Sequence, residues 1–197
     1  MARVFRDAGA DVATCDVQPS EDSSIPHYLG DAAAIQDLGW DLVIAHPPCT
    51  YLSNAGVMWL SREKGREQRV EEAAILFRRL QAARAPFVAL EQPVMHRLAR
   101  QLTRSDPAQI VHPWQHGTGH TKPTALHLSP GLPPLKPTCE VPGRLHKLAA
   151  LSQSPHRGKL RSRTYEGIAA AMATQWTPVL FDHVKREAQQ LNESQLQ

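Results

Sequence analysis

Asp41 to Gly56 reads D-L-V-I-A-H-P-P-C-T-Y-L-S-N-A-G, and this stretch decides how the chain is organised. Leu42 to Ala45 is a short apolar run, the pattern of a strand buried on both faces. Pro47 and Pro48 then take the backbone out of a sheet, because proline lacks the ladder donor and restricts the residue before it. Cys49 falls on the loop just past the carboxyl end of the strand, which is where open parallel sheets bind ligands. A cysteine in that place is a candidate nucleophile. As a single residue it reads more readily as a small side chain packed in a turn; Pro-Pro-Cys after a buried strand shifts the reading towards function.

A second stretch gives Cys49 a neighbour. Pro86 ends a helical segment, Phe87 to Leu90 is another apolar strand, and Glu91-Gln92-Pro93 follows at once. Between the two strands, Glu63 to Ala83 carries Val70, Ala73, Ala74, Phe77 and Leu80 at helical spacing, with Arg66, Arg69, Glu72 and Arg79 on the other faces. A strand–helix–strand unit predicts two parallel strands, neighbours about 4.8 Å apart when the connection is short. Cys49 and Glu91 then emerge at one sheet edge. A thiolate adding to carbon 6 of a cytosine makes carbon 5 enamine-like. A carboxyl group at ring nitrogen 3 stabilises that adduct, most simply as a protonated acid.

Pro47-Pro48-Cys49 resembles the Pro-Cys motif of the DNA cytosine-5 methyltransferases, and Glu91-Gln92-Pro93 resembles their Glu-Asn-Val motif, with Gln92 in place of Asn. The closer resemblance is to short phage- and prophage-type cytosine methyltransferase-like proteins. It is carried by the strings D-L-V-I-A-H-P-P-C-T-Y-L, H-P-W-Q-H-G, T-K-P-T, G-L-P-P-L and S-R-T-Y-E-G-I-A-A-A-M-A, and runs from the first helix to Trp176. The resemblance implies a Rossmann-like α/β sheet with helices on both faces and a small or absent target-recognition domain. It implies S-adenosyl-L-methionine as cofactor and cytosine-containing DNA, with the base flipped out of the duplex, as substrate. In these terms Cys49 is the nucleophile and Glu91 faces ring nitrogen 3. Arg161-Ser162-Arg163 matches the Arg-x-Arg part of a longer motif whose arginines hold the base. Asp16, Asp31 and Pro47 fall where the family contacts the cofactor. Family members begin with a strand and a Gly-containing loop; this chain begins inside the first helix. A downstream start, a rearranged sheet or a degraded relative would each account for that.

The rest of the chain fits around these motifs. The length of 197 residues suits one domain with a real core, expected over residues 1–182, with a polar tail that frays over 183–197. No apolar run approaches membrane-spanning length and no leader pattern is visible, so a cytoplasmic protein is expected, in a bacterial host if phage-encoded. Three cysteines without paired spacing fit a reducing compartment better than a disulfide framework. Met1 to Ala8 reads as a helix closed by Gly9. Asp11 to Cys15 reads as a strand ending at Asp16, which takes ribose hydroxyls in a nucleotide-binding sheet or simply begins a turn. Asp31 precedes a short helix, Ala32 to Leu38, and is a natural N-cap.

Thr50 to Trp59 is expected to loop over the site, where Tyr51 or Trp59 stacks on a base or packs in the core. His46 tunes Cys49 or holds the loop. Met95 to Leu102 reads as a helix, Ile110 to Trp114 and Leu126 to Leu128 as strands. His112, His116 and His120 have helical metal-ligand spacing, but Pro113, Gly117 and Gly119 break the helix it requires, so no metal is expected. Residues 130–163 form a loop region, first Pro-rich, then basic. Arg144, Lys147, Arg157 and Lys159, with the two arginines already named, form a candidate phosphate-tracking segment, although such runs are commonly solvated surface. Glu166 to Trp176 reads as a helix with Ile168, Met172 and Trp176 on one face. The competing expectations are a catalytically inactive methyltransferase-like protein that binds nucleic acid or protein, and another carbon-5 pyrimidine-modifying enzyme.

Overall fold

The structure is a computed structural model and describes residues 1–142 and 164–195. The chain runs α1 (Ala2–Asp7), β1 (Thr14–Asp16), β2 (His27–Leu29), α2 (Ala32–Ile35), β3 (Leu42–Ala45), α3 (Arg66–Gln81), β4 (Phe87–Pro93), α4 (Arg97–Thr103), β5 (Gln109–Val111), β6 (Thr124–Leu128) and α5 (Glu166–Gln195). Two short 3-10 helices, Asn54–Trp59 and Pro113–Gln115, lie in the connections. Among the described residues no helix is long and apolar enough to cross a membrane.

The fold is mixed α/β. β3 and β4 are parallel neighbours, as the intervening helix requires, in the register Leu42 to Phe87 through Ala45 to Leu90. β6 lies antiparallel on the other side of β4, and β5 antiparallel beyond it, giving the order β3-β4-β6-β5. β1 and β2 form a separate parallel pair. Among the described residues, neither β1 nor β3 has a ladder partner on its second edge.

Strand alternation sorts the core into two layers. Phe87 and Ala89 face α5 with Ile168, Met172 and Trp176, while Val88 and Leu90 face α3 with Val70, Phe77 and Leu80. Leu42 and Ile44 join the first layer and Val43 the second. Phe5 and Val12 pack into the layer shared by Leu42 and Ile44, and Ala32 into the layer of Val43. β3 is only partly buried except at Ala45, unlike the fully buried strand expected from its composition. A strand with one open edge has fewer neighbours to cover it.

The Pro-rich segment up to residue 142 has no strand or helix of its own; residues 138–141 bond the backbone of residues 114–117, and the stretch before them is held by side chains. Gln109 bonds both the amide and the carbonyl of Leu135, Gln175 does the same for Lys136, and the Trp176 indole donates to the Pro133 carbonyl. Beyond Trp176 the helix does not stop, correcting the expected frayed tail: α5 continues through Pro178 to Gln195. His183 stacks edge-on against Phe87, and its imidazole meets Glu187 one turn on.

At its other end α5 approaches the chain closely. A Cβ on Gly167 would lie 1.7 Å from the His116 carbonyl oxygen, so only glycine allows this helix to sit where it does. Gly167→Ala is expected to cost at least about 2 kcal/mol, read as a lower urea midpoint with unchanged slope.

His127, buried on β6, hydrogen-bonds Ser105, which in turn accepts from Gln81. Burial pushes its imidazole down to about 4. Between that value and the ordinary one near 6.5 the unfolded chain binds a proton that the folded chain refuses. Stability is therefore full above about pH 6.5 and falls as the pH drops towards 4. Urea unfolding across that range is expected to show this slope, and His127→Gln to flatten it.

Candidate active site

The ladder between β3 and β4 stops at Ala45 and Leu90, so His46 and Glu91 are the next residues at one level. β4 runs on through Glu91, Gln92 and Pro93, paired only with β6. That overhang places the Glu-Gln-Pro motif beside the Pro-Pro-Cys loop, as the strand–helix–strand pattern predicts. His46 Nδ1 lies 3.3 Å from Glu91 Oε2. Thr164 Oγ1 donates to the same oxygen at 2.7 Å. The Glu91 side chain is 9% exposed and that of His46 40%, so the carboxylate lies beneath an imidazole that reaches solvent.

Burial raises the affinity of Glu91 for a proton, but the His46 bond and charge, the Thr164 hydroxyl and the Lys122 charge together outweigh it. The net effect holds the carboxyl below its usual range, so Glu91 is a carboxylate near neutral pH. This differs from the protonated acid expected from the motif. The reason is tertiary: the hydroxyl comes from the residue two before α5 and the ammonium from the segment ahead of β6.

Gln92 is nearly fully buried and its Nε2 donates to the Pro47 carbonyl at 2.6 Å. The replacement of Asn by Gln thus leaves a direct bond between the two motifs. Pro47 is buried and Cys49 half-buried, with a free thiol. The Cys49 carbonyl accepts from the amides of Leu52 and Ser53, closing a turn. His96 carries the turn to α4: Nδ1 accepts from the Ala99 amide, and Nε2 meets the Tyr51 carbonyl at 2.9 Å. Arg66 donates to the Thr50 carbonyl and stacks on the Tyr51 ring, 4.5 Å from its centroid. A Cβ on Gly56 would meet the Thr50 oxygen at 2.7 Å, so this turn also depends on a glycine. Tyr51 is therefore held by two arginines, Arg66 and Arg69, while Trp59 projects to solvent.

Of the remaining residues singled out from the sequence, Asp16 ends β1 and accepts from the Gln18 amide, the turn-forming contact. Asp31 caps α2 through the Ala33 amide. Both are exposed, beside exposed Val17 and Leu29 at the carboxyl end of the β1–β2 pair. His116 meets Thr138 and His120 meets Tyr165, while His112 stacks on Trp114; among the described residues no cluster of three metal-ligating side chains forms. Arg144, Lys147, Arg157, Lys159, Arg161 and Arg163 lie outside the described residues. Thr164, Lys122 and His96 were not legible as site residues. Thr164 stands 73 positions from Glu91 in the chain, and only its place directly after Arg163 offered a hint.

Gln92→Ala is expected to leave the Pro47 carbonyl unpaired and cost about 1–3 kcal/mol. It should also speed alkylation of Cys49 relative to Cys15 and Cys139, read by peptide mass spectrometry. No protein-family model matches the chain, and no curated protein matches it.

Proposed function

We propose that this protein methylates cytosine at carbon 5 in DNA through a covalent adduct of Cys49, with the target base flipped into the site. The observation that carries this reading is the joining of the Pro47-Pro48-Cys49 loop to Glu91-Gln92-Pro93 at one sheet edge, through Gln92 to Pro47 and His46 to Glu91. A thiol on a braced turn and a buried carboxylate beside it are what attack at carbon 6 and contact at ring nitrogen 3 require. The turn fixes the backbone of Cys49 through its carbonyl, which limits the positions the sulfur samples before the base arrives.

S-adenosyl-L-methionine is the proposed methyl donor. The chemistry of the β1–β2 end fits its adenosine half: Asp16 and Asp31 supply carboxylates for ribose hydroxyls and the adenine amino group, and exposed Val17 and Leu29 supply apolar surface for the purine. When bound, the cofactor supplies the electrophilic methyl group. Pro47 is proposed to meet the cofactor from the end of β3, and Arg161 and Arg163 are proposed to hold the base. Arg144, Lys147, Arg157 and Lys159 are proposed to follow the DNA phosphates.

A second reading is favoured by one observation. The β1–β2 pair, which carries the proposed cofactor residues, is not joined to the four-stranded sheet by any ladder among the described residues. On that reading the chain is a non-catalytic nucleic-acid-binding relative. Calorimetric titration with S-adenosylmethionine and then S-adenosylhomocysteine separates the two: micromolar binding supports the enzyme, and no binding by a folded sample supports the binder. With binding in hand, Cys49→Ala is expected to abolish methyl transfer to DNA without changing the unfolding free energy by more than about 1 kcal/mol. Retained transfer would remove the covalent mechanism.

A further inference from the structure

We infer that His46 is the proton carrier of this site, with Glu91 relaying its proton to ring nitrogen 3 of the base and Thr164 positioning Glu91 for the transfer. The inference rests on the carbon-5 reading and adds the residue that reading lacks. The adduct requires a proton at nitrogen 3, yet Glu91 is held as a carboxylate. Among the described residues, the side chain in direct contact with it whose ring nitrogen can hold and release a proton is His46, 3.3 Å from Oε2. The other contacts do not serve. Thr164 donates a hydroxyl hydrogen that it does not release at this pH. Lys122 acts on Glu91 as a fixed positive charge. Tyr165 beside it has its phenol pushed up by burial, and so stays neutral.

The geometry suits a relay. Both His46 and Thr164 address the same oxygen, from the end of β3 and from the start of α5, so the carboxylate plane is set from two elements. Glu91 is buried and cannot draw a proton from bulk water directly, whereas the His46 ring is exposed enough to reload. Pro47, next to His46, is held by Gln92, which limits the motion of the ring's backbone.

The step balances as follows. The Cys49 sulfur forms a bond to carbon 6. The carbon 5–carbon 6 π pair shifts to join carbons 5 and 4, and the carbon 4–nitrogen 3 π pair moves onto nitrogen 3. Glu91 takes the proton on His46 Nδ1, and nitrogen 3 then takes that same proton from Glu91. After carbon 5 has taken the methyl group, its hydrogen leaves to water, the thiolate departs from carbon 6, and nitrogen 3 returns its proton to the pair. Among the described residues, Thr164 and Lys122 act on Glu91, with Tyr165 beneath Lys122 and His120 against Tyr165.

The test has two independent readouts. The first is the carboxyl titration of Glu91 followed by carbon-13 NMR, which needs neither cofactor nor DNA. In His46→Gln the Glu91 midpoint is expected to move up, and in Thr164→Val to move up less. An unmoved midpoint in His46→Gln overturns the pairing. The second is exchange of the cytosine carbon-5 hydrogen with solvent in DNA, across pH. His46→Gln is expected to lower the exchange rate about 100-fold at saturating DNA with KM little changed, and to remove the fall in rate on the alkaline side. A rate and profile like the wild type's overturn the inference. No exchange and no methylation by folded, cofactor-binding wild type overturns the carbon-5 reading, while the NMR titration still decides whether His46 and Glu91 share a proton.

Discussion

The parallel ladder between β3 and β4 is the constraint on which the site depends. It ends with Ala45 opposite Leu90, so the next two residues, His46 and Glu91, leave the ladder at the same height. A one-residue slip would turn every side chain of the shifted strand to the opposite face. The register is held by what those faces bury: Leu42, Ile44, Phe87 and Ala89 against α5, and Val43, Val88 and Leu90 against α3. The apolar core therefore sets the polar geometry at the sheet's edge.

Around this ladder the site is assembled from short ties, each of which satisfies a backbone group that has no strand to join. Gln92 takes the Pro47 carbonyl, Arg66 the Thr50 carbonyl and His96 the Tyr51 carbonyl. These three side chains come from β4, α3 and the cap of α4. The result is a turn after Cys49 that is irregular in backbone but braced on several sides. A loop held in this way is better able to present a thiol in one position than a loop free to sample many.

Electrostatics at Glu91 show how a motif acquires a protonation state from its surroundings. Burial acts to neutralise the carboxyl, and His46, Thr164 and Lys122 act to keep it charged, with the second set prevailing. Glutamate in the motif specifies a carboxyl group; which form it takes is decided by residues 45, 31 and 73 positions away, brought together by folding. The same contrast applies to His127, where burial lowers proton affinity and outweighs the opposing influence of Asp106.

Much of this was open to reading from the residues alone. The apolar runs at Leu42 and Phe87, the helical spacing between them and the turn-forming prolines required two parallel strands with Cys49 and Glu91 at one edge, because strand burial and helix periodicity are local properties. Asp31 as a cap and the Pro-rich segment as an irregular one were legible for the same reason. Other features came only with the tertiary structure. The antiparallel insertion of β6 between β4 and β5, the separation of β1–β2 from the larger sheet, the long course of α5, and the Thr164 contact to Glu91 all depend on which distant segments pack together. Local pattern states what each segment prefers; shared burial between segments decides which of them meet, and so which side chains surround the carboxylate.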